Sequence, residues 1–431
     1  MRPDATLPPT SARRSVLGPL ARAALTVGAV AACSDAAPVG PSPSLSSVVT
    51  EPASGPWARV VEGETGPGSR YAIYVPRTWN GDAVFYAHGF RDAASPVDLR
   101  DQDSLYKVRD VLGAQGYAVA YSSYSDNGFV VKDGAQRTHQ LRGLLAAQVG
   151  GQPARRYLMG HSLGAGVSLD LAERFPGQYD GALLMCGIVG GSLAETQYLG
   201  HVRALFDHFY PGRVPGSVIG VPEGTIVTLP QIIAAVQSNP LGLLAIASTA
   251  QTPLPWVPSG DLTNPSSLAS QTLVGSLYAA VSFHARGIND IVGLTHDKTP
   301  FDNASTVYAA GQPLPLPAPL AALIPGLIAG ANVGVARYAF DEPAESYLTR
   351  YFTPTGALEL PVVTLHNVWD PAVPAFHEQL LLQRAQAAGA AANLLQRSVP
   401  SYGHCAFNTT QVLQSFAALR TWVESGVKPA Q

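Results

Sequence analysis

Short apolar runs alternate along this chain with segments whose apolar positions recur every three or four residues. Runs of the first kind occupy 71–75, 83–87, 117–121, 157–159 and 182–186, and again 361–365 and 394–399. Their brevity and their β-branched and aromatic content predict strands. The second kind predicts amphipathic helices. Leu105, Val108 and Leu112 stand at i, i+3, i+7 ahead of Gly116, and Val167, Leu171 and Phe175 at i, i+4, i+8. Residues 380–388 read as a helix, and Val412, Phe416, Leu419 and Val423 form the last one. Strand and helix in turn argue for an α/β fold, a mostly parallel, doubly wound sheet with helices on both faces.

The alternation fails between 188 and 345. That stretch is rich in Pro, Gly, Leu and Ala and has no regular period. It lies between two strands of the repeating pattern, so it reads as a cap or lid inserted at the sheet's carboxyl edge. The core is then split into 56–187 and 346–431. Within the insertion, the Pro-rich apolar segment 313–330 is either a lid face touching substrate or a cap packed on the core.

The N-terminus has a pattern of its own. Arg13, Arg14 and Arg22 make it positive, and 23–32 is apolar. That length suits the apolar region of an export signal and is too short to span a bilayer. It runs into Val30-Ala31-Ala32-Cys33, which resembles a bacterial lipoprotein cleavage box. There the Cys becomes the first residue and is lipidated. The alternative is an ordinary secretory signal in which Cys33 has no role. Arg13-Arg14-Ser15-Val16-Leu17 is also similar to a twin-Arg signal. Either route predicts an exported protein, with membrane attachment only through Cys33. Residues 1–33 are the expected signal, and 34–55 read as a Pro/Ser/Ala-rich tether.

Composition narrows the function classes. The chain has 431 residues, 46% hydrophobic and 13% charged, where a soluble domain averages about 25% charged. A large core is easily built. The formal charge of −3 gives nucleic-acid binding little electrostatic support. No H-E-x-x-H or paired C-x-x-C occurs, and no G-x-G-x-x-G or P-loop follows a strand, so neither a metal nor a cofactor is implied. With Cys33 lipidated, Cys186 and Cys405 remain. They are either a disulfide in an oxidising compartment or two buried thiols.

Chemistry converges on one constellation. Gly160-His161-Ser162-Leu163-Gly164 follows a strand and opens a helix. That is the context a nucleophile elbow requires: a sharp turn pushes the Ser oxygen out of the sheet edge. A Ser hydroxyl needs a base. His404 lies just beyond the last strand, in Tyr402-Gly403-His404-Cys405, and His377 is the runner-up. The base needs a carboxylate. Asp370 follows the 361–365 strand, in the connection where the third member belongs, with Glu378 as the fallback. Two backbone N–H groups would hold the substrate oxyanion: Leu163, after the Ser, and Phe90, in the His88-Gly89-Phe90 loop after 83–87. Two further features have open readings. Residues 122–128 either line the pocket or satisfy their own backbone, and Trp369 is a pocket wall or core.

On these residues the sequence resembles the α/β-hydrolase superfamily over about 70–187 and 346–428. The resemblance implies Ser162 as nucleophile, His404 as base, Asp370 as acid, and Leu163 and Phe90 as oxyanion donors. The segments Y-A-I-Y-V-P-R-T-W-N-G, A-H-G-F, G-H-S-L-G, N-V-W-D-P-A-V-P and Y-G-H-C-A-F are similar to those of exported bacterial esterases. His404-Cys405 resembles the tannase and feruloyl-esterase group, in which the Cys after the His bonds a Cys before the Ser. This chain departs from that pattern, because His161 precedes Ser162, and Cys405 would need Cys186 instead. The expectation is a serine carboxylic-ester hydrolase acting on a small or polymeric ester, hydrophobic or aromatic. Peptidase, thioesterase or acyltransferase use of the same residues, or a non-catalytic exported binding protein, are the competing readings.

Overall fold

A computed structural model describes residues 48–50, 54–99, 103–311 and 313–430. The expected signal and Cys33 lie outside these residues. The chain runs β1 (Val48–Thr50), β2 (Trp57–Gly66), β3 (Ser69–Pro76), β4 (Asp82–Ala87), α1 (Asp103–Ala114), β5 (Ala118–Ser122), α2 (Val131–Val149), β6 (Arg155–His161), α3 (Leu163–Arg174) and β7 (Gly181–Met185). The insertion follows as α4 (Ser192–Phe209), α5 (Leu229–Ser238), α6 (Pro240–Ala247), α7 (Leu268–Leu294), α8 (Ala318–Ala321), α9 (Ile324–Gly334) and α10 (Glu342–Arg350). The chain closes with β8 (Val362–Trp369), α11 (Phe376–Ala387), β9 (Leu394–Tyr402) and α12 (Thr409–Ser425).

The strands form a nine-stranded sheet in the order β1-β2-β3-β5-β4-β6-β7-β8-β9. β4 to β9 are parallel to one another, and β1, β2 and β3 add an antiparallel edge. The inner strands are covered on both faces, which is why β4, β5 and β7 are continuous apolar runs with every residue buried. Alternate residues feed opposite cores. Ala83, Phe85 and Ala87 join one, and Val84 and Tyr86 the other. The chain leaves β4 for β5 on one side and returns to β6 on the other. That reversal opens a crevice at the carboxyl ends of β4 and β6, the usual place for a ligand in such sheets. The arrangement is the α/β-hydrolase fold.

Three sequence expectations need correction. β2 was not expected, because only Trp57 and Val61 of its ten residues are buried, so the strand carries a weak apolar signal. Val48–Thr50, inside the segment read as a tether, pairs antiparallel with β2. The stretch 188–345 is helical, not irregular, and α10 runs past its expected end. Its pattern is unreadable because its longest helix is buried on most sides: Leu273, Leu277, Ala280, Val281, Ala285 and Ile288 all lie inside, together with Ser270, Thr272 and Ser276. With polar side chains buried beside apolar ones, the stripe at Leu273, Leu277, Ala280, Ile288 and Ile291 is diluted. The cap has its own core, in which Ile324 and Ile328 are buried and Leu314 and Leu316 pack against it. The rest of 313–330 is mostly exposed, so the segment contributes only these few side chains to the cap interior.

Candidate active site

Ser162 stands between the end of β6 and the start of α3, with φ 54° and ψ −125°. A side chain in that left-handed region is strained, and the neighbouring glycines explain how the turn is built. A Cβ at Gly164 would lie 2.1 Å from the Ala87 carbonyl oxygen, and one at Gly160 would lie 2.1 Å from the Gly164 carbonyl oxygen. Neither position has room for a side chain. The Ser162 N–H donates to the Met185 carbonyl at 2.9 Å, which ties the turn to the neighbouring strand. The loop after β4 closes on the same point, since a Cβ at Gly89 would come within 3.1 Å of the Ser162 Cβ.

His404 and Asp370 meet this serine from the last two strand connections. His404 Nε2 is 2.8 Å from Ser162 Oγ, and His404 Nδ1 is 2.8 Å and 3.0 Å from the two Asp370 oxygens. The arrangement fits one tautomer: Nδ1–H donates to the carboxylate, and Nε2 accepts from the hydroxyl. Asp370 is fully buried, and its Oδ1 also accepts from the Ala372 and Val373 N–H groups at 2.9 and 3.0 Å. A turn-forming Asp before Pro371 thus also points its carboxylate at the imidazole. Such a chain can draw the hydroxyl proton onto Nε2 while the carboxylate holds the resulting imidazolium.

Two sequence candidates are engaged elsewhere. His377 Nδ1 accepts from the Gly190 N–H at 3.0 Å, and its Nε2 lies 2.8 Å from Glu195 Oε2. Glu378 accepts from Thr364 Oγ1 and from Gln396 Nε2 in the β8–β9 layer. The 122–128 segment bonds its own surroundings. Ser123 Oγ accepts from the Arg70 N–H and donates to the Tyr124 carbonyl, and Asn127 Nδ2 donates to Ser95. Trp369 pairs with Tyr402 at the end of the β8–β9 ladder.

Two braces surround the triad. His88 stacks on Tyr124 at 3.8 Å, its ring bonds the Gly89 carbonyl, and Tyr124 Oη donates to the His88 carbonyl. Burial pulls the His88 imidazole down to about 4, so the ring is neutral and holds the loop that ends in Phe90. Cys186 and Cys405 form a disulfide that links the end of β7 to the His404 loop. Its sulfurs lie within 4.8 Å of a His404 ring nitrogen. Bonded to each other, they have no thiolate to offer a metal.

Above Ser162 lies a pocket lined mostly by apolar side chains. Leu163 and Phe90 line it beside the serine. The opposite wall comes from the insertion: Leu199 of α4, and Phe283, Gly287, Ile288 and Ile291 of α7. Phe283 packs edge-on against both Phe90 and His404. Glu195 and Thr196 are the polar residues that α4 contributes. None of these cap residues was legible in the sequence, because α4 and α7 themselves were not. The available signal was Gly190-Gly191 a few residues after β7, with Glu195 one helical turn later.

No known family profile matches the chain. It is 23% identical over 181 residues to a monoacylglycerol lipase of Mycolicibacterium smegmatis, covering 40% of this chain and 60% of the lipase. The match therefore spans less than two thirds of that relative. Among solved structures, feruloyl esterase B from Aspergillus oryzae is similar at 16% identity, with 89% of this chain and 86% of that one covered and a TM-score of 0.47. The rice cell wall degrading esterase LipA from Xanthomonas oryzae is similar at 13% identity, with 85% and 88% covered and a TM-score of 0.39.

Proposed function

We propose that this chain is a serine carboxylic-ester hydrolase for esters with a substantial apolar part. The observation that carries the reading is the hydrogen-bonded chain Asp370–His404–Ser162 opening into an apolar pocket. His404 Nε2 takes the Ser162 proton as Oγ attacks the ester carbonyl carbon. The carbonyl oxygen becomes an oxyanion, and the Leu163 and Phe90 N–H groups are assigned to hold it. Each such donor is worth about 3 kcal/mol of barrier. The tetrahedral intermediate collapses, His404 gives the proton to the leaving alcohol, and an acyl-Ser162 ester remains. Water attacks that ester with His404 again as base, which releases the acid and restores the serine. The wall formed by Phe90, Phe129, Leu199, Phe283 and Ile288 favours an apolar or aromatic group.

Export is part of the same proposal. A disulfide persists in oxidising compartments, which agrees with the expected export signal in 1–33 and with attachment through Cys33.

The test is hydrolysis of p-nitrophenyl esters from C2 to C16 and of one aromatic ester, with Ser162→Ala as control. The variant is expected to lose about 10⁶-fold in turnover and to escape fluorophosphonate labelling. A folded Ser162→Ala protein that keeps a tenth of the activity would overturn the mechanism.

A further inference from the structure

Glu195 is out of place in its surroundings. It is 4% exposed, sits in the first turn of α4, and lines an otherwise mostly apolar wall above Ser162. Its hydrogen-bond partner, His377, is not a cation. His377 Nδ1 accepts the Gly190 N–H, so the ring carries its proton on Nε2 and donates it to Glu195 Oε2. His377 is fully buried, and burial, with His366 nearby, holds its imidazole down at about 3. It therefore stays neutral and supplies no counter-charge. Burial, reinforced by Asp370, pushes the Glu195 carboxyl up to about 8.

One oxygen of this carboxyl is thus committed, and the other is not. Among the described residues Oε1 makes no hydrogen bond. Anchoring His377 does not require a carboxyl, since a backbone carbonyl or an amide oxygen would accept the same N–H. The spare oxygen belongs to a residue that lines the cavity, within range of the triad's charges. An oxygen without a protein hydrogen bond on a residue that lines a cavity is a place for a ligand atom.

Resting on the ester-hydrolase reading, we propose that Glu195 is a specificity-determining residue whose Oε1 hydrogen-bonds a hydroxyl on the part of the substrate lodged in the apolar pocket. A hydroxyl suits either protonation state. The neutral acid donates its O–H to the hydroxyl oxygen, and the carboxylate accepts the hydroxyl proton. An anionic substituent fits neither Glu195 nor the nearby Asp370. The expected substrates are esters of hydroxylated chains or rings, not plain alkyl esters.

The experiment compares p-nitrophenyl octanoate with its derivatives bearing one hydroxyl at C3, C6, C7 or C8, positions that avoid spontaneous closure to five- and six-membered lactones, and octyl acetate with the matching hydroxyoctyl acetates. In the wild-type protein at least one isomer is expected to exceed its parent by about tenfold or more in kcat/KM, chiefly through KM. Glu195→Leu should abolish that preference, bringing the ratio of kcat/KM on the favoured hydroxylated ester to that on its plain parent down to one or below. Glu195→Gln, which keeps an acceptor for His377 and a polar group for the pocket, should retain most of the preference. A purely apolar pocket would rank every hydroxylated isomer below its parent, and that ranking in the wild-type protein overturns the proposal whether or not Glu195→Leu folds. Equal losses on plain and hydroxylated esters in Glu195→Leu would also overturn it, as the mark of a structural role. Hydrolysis of plain esters without any hydroxyl preference overturns this inference alone. Inactivity toward every ester overturns the esterase reading, and this inference with it.

Discussion

Ser162 holds a backbone conformation that glycine adopts without penalty, with φ at 54°. Its strain is tolerated because β6, β7 and the loop after β4 fix the turn from three sides. Ser162→Gly should therefore be inactive yet more stable than Ser162→Ala by about 1 kcal/mol, the relieved strain outweighing the extra chain entropy of glycine. Thermal unfolding of the two inactive variants side by side checks this, and a lower midpoint for Ser162→Gly would contradict it. Glu195 gives a second residue-scale prediction. Its carboxyl titrates near 8 when folded and near the ordinary 4.5 when unfolded, so the folded state binds the extra proton between those values. Its contribution is fully present below about pH 4.5 and is lost as pH rises toward 8. Glu195→Gln removes the loss. Its unfolding midpoint, relative to wild type, should rise by a few degrees between pH 5 and pH 8, and a difference that shrinks over that range would refute the burial argument. At this scale the sequence was legible where chemistry demands particular residue types. Gly160, Ser162 and Gly164 announce the turn by spacing, and Asp370 and His404 by their positions after strands. Glu195 and His377 form their pair across 182 positions, and no local spacing reports that.

Elements were readable where burial and apolar character coincide. The parallel strands stood out as apolar runs, and α12 as a stripe. In α7 the buried positions include Ser270, Thr272, Ser276, Ser282, His284 and Gly287, so polarity and burial no longer track each other. Gly287 matters beyond legibility. It lies in the middle of a long helix, where glycine costs about 1 kcal/mol relative to alanine, yet a Cβ placed there would meet nothing within 4 Å. The open space is the pocket, whose wall Gly287 helps to form. Gly287→Leu should fill that space without a clash. The expected result is a chain-length optimum several carbons shorter, with activity on long p-nitrophenyl esters down by about tenfold or more, short esters little changed, and a midpoint at or above wild type. An unchanged chain-length profile would place the acyl chain elsewhere.

For the whole molecule, the sequence carried the sheet and its split into two segments, but not how the insertion is held over the site. The cap packs around its own core and reaches the sheet side through contacts that include Phe283 against Phe90 and His404, Glu195 with His377, Tyr198 against Phe376, the Asp290 carboxylate on the Phe129 N–H, and Ser276 near Tyr402. The Cys186–Cys405 bridge is the covalent member of this set. It joins the residue just before the insertion to the residue just after His404, closing a loop across 219 positions that contains the entire cap. A bridge over so long a loop is worth up to about 5 kcal/mol in the chain-entropy account, and removing a native one costs about 2 to 5 kcal/mol. Its position adds a catalytic consequence. Gly403 and Cys405, on either side of His404, have φ of 127° and 52°, conformations that the surrounding structure must enforce. The double variant Cys186→Ser, Cys405→Ser should accordingly unfold at a lower temperature and also lose turnover as His404 wanders from Ser162. KM should move little, because neither cysteine lines the pocket. Steady-state kinetics below the variant's unfolding temperature separate the two effects. A lower midpoint with unchanged kcat would assign the bridge to stability alone, whereas a fall in kcat at constant KM would make it part of what aims the base.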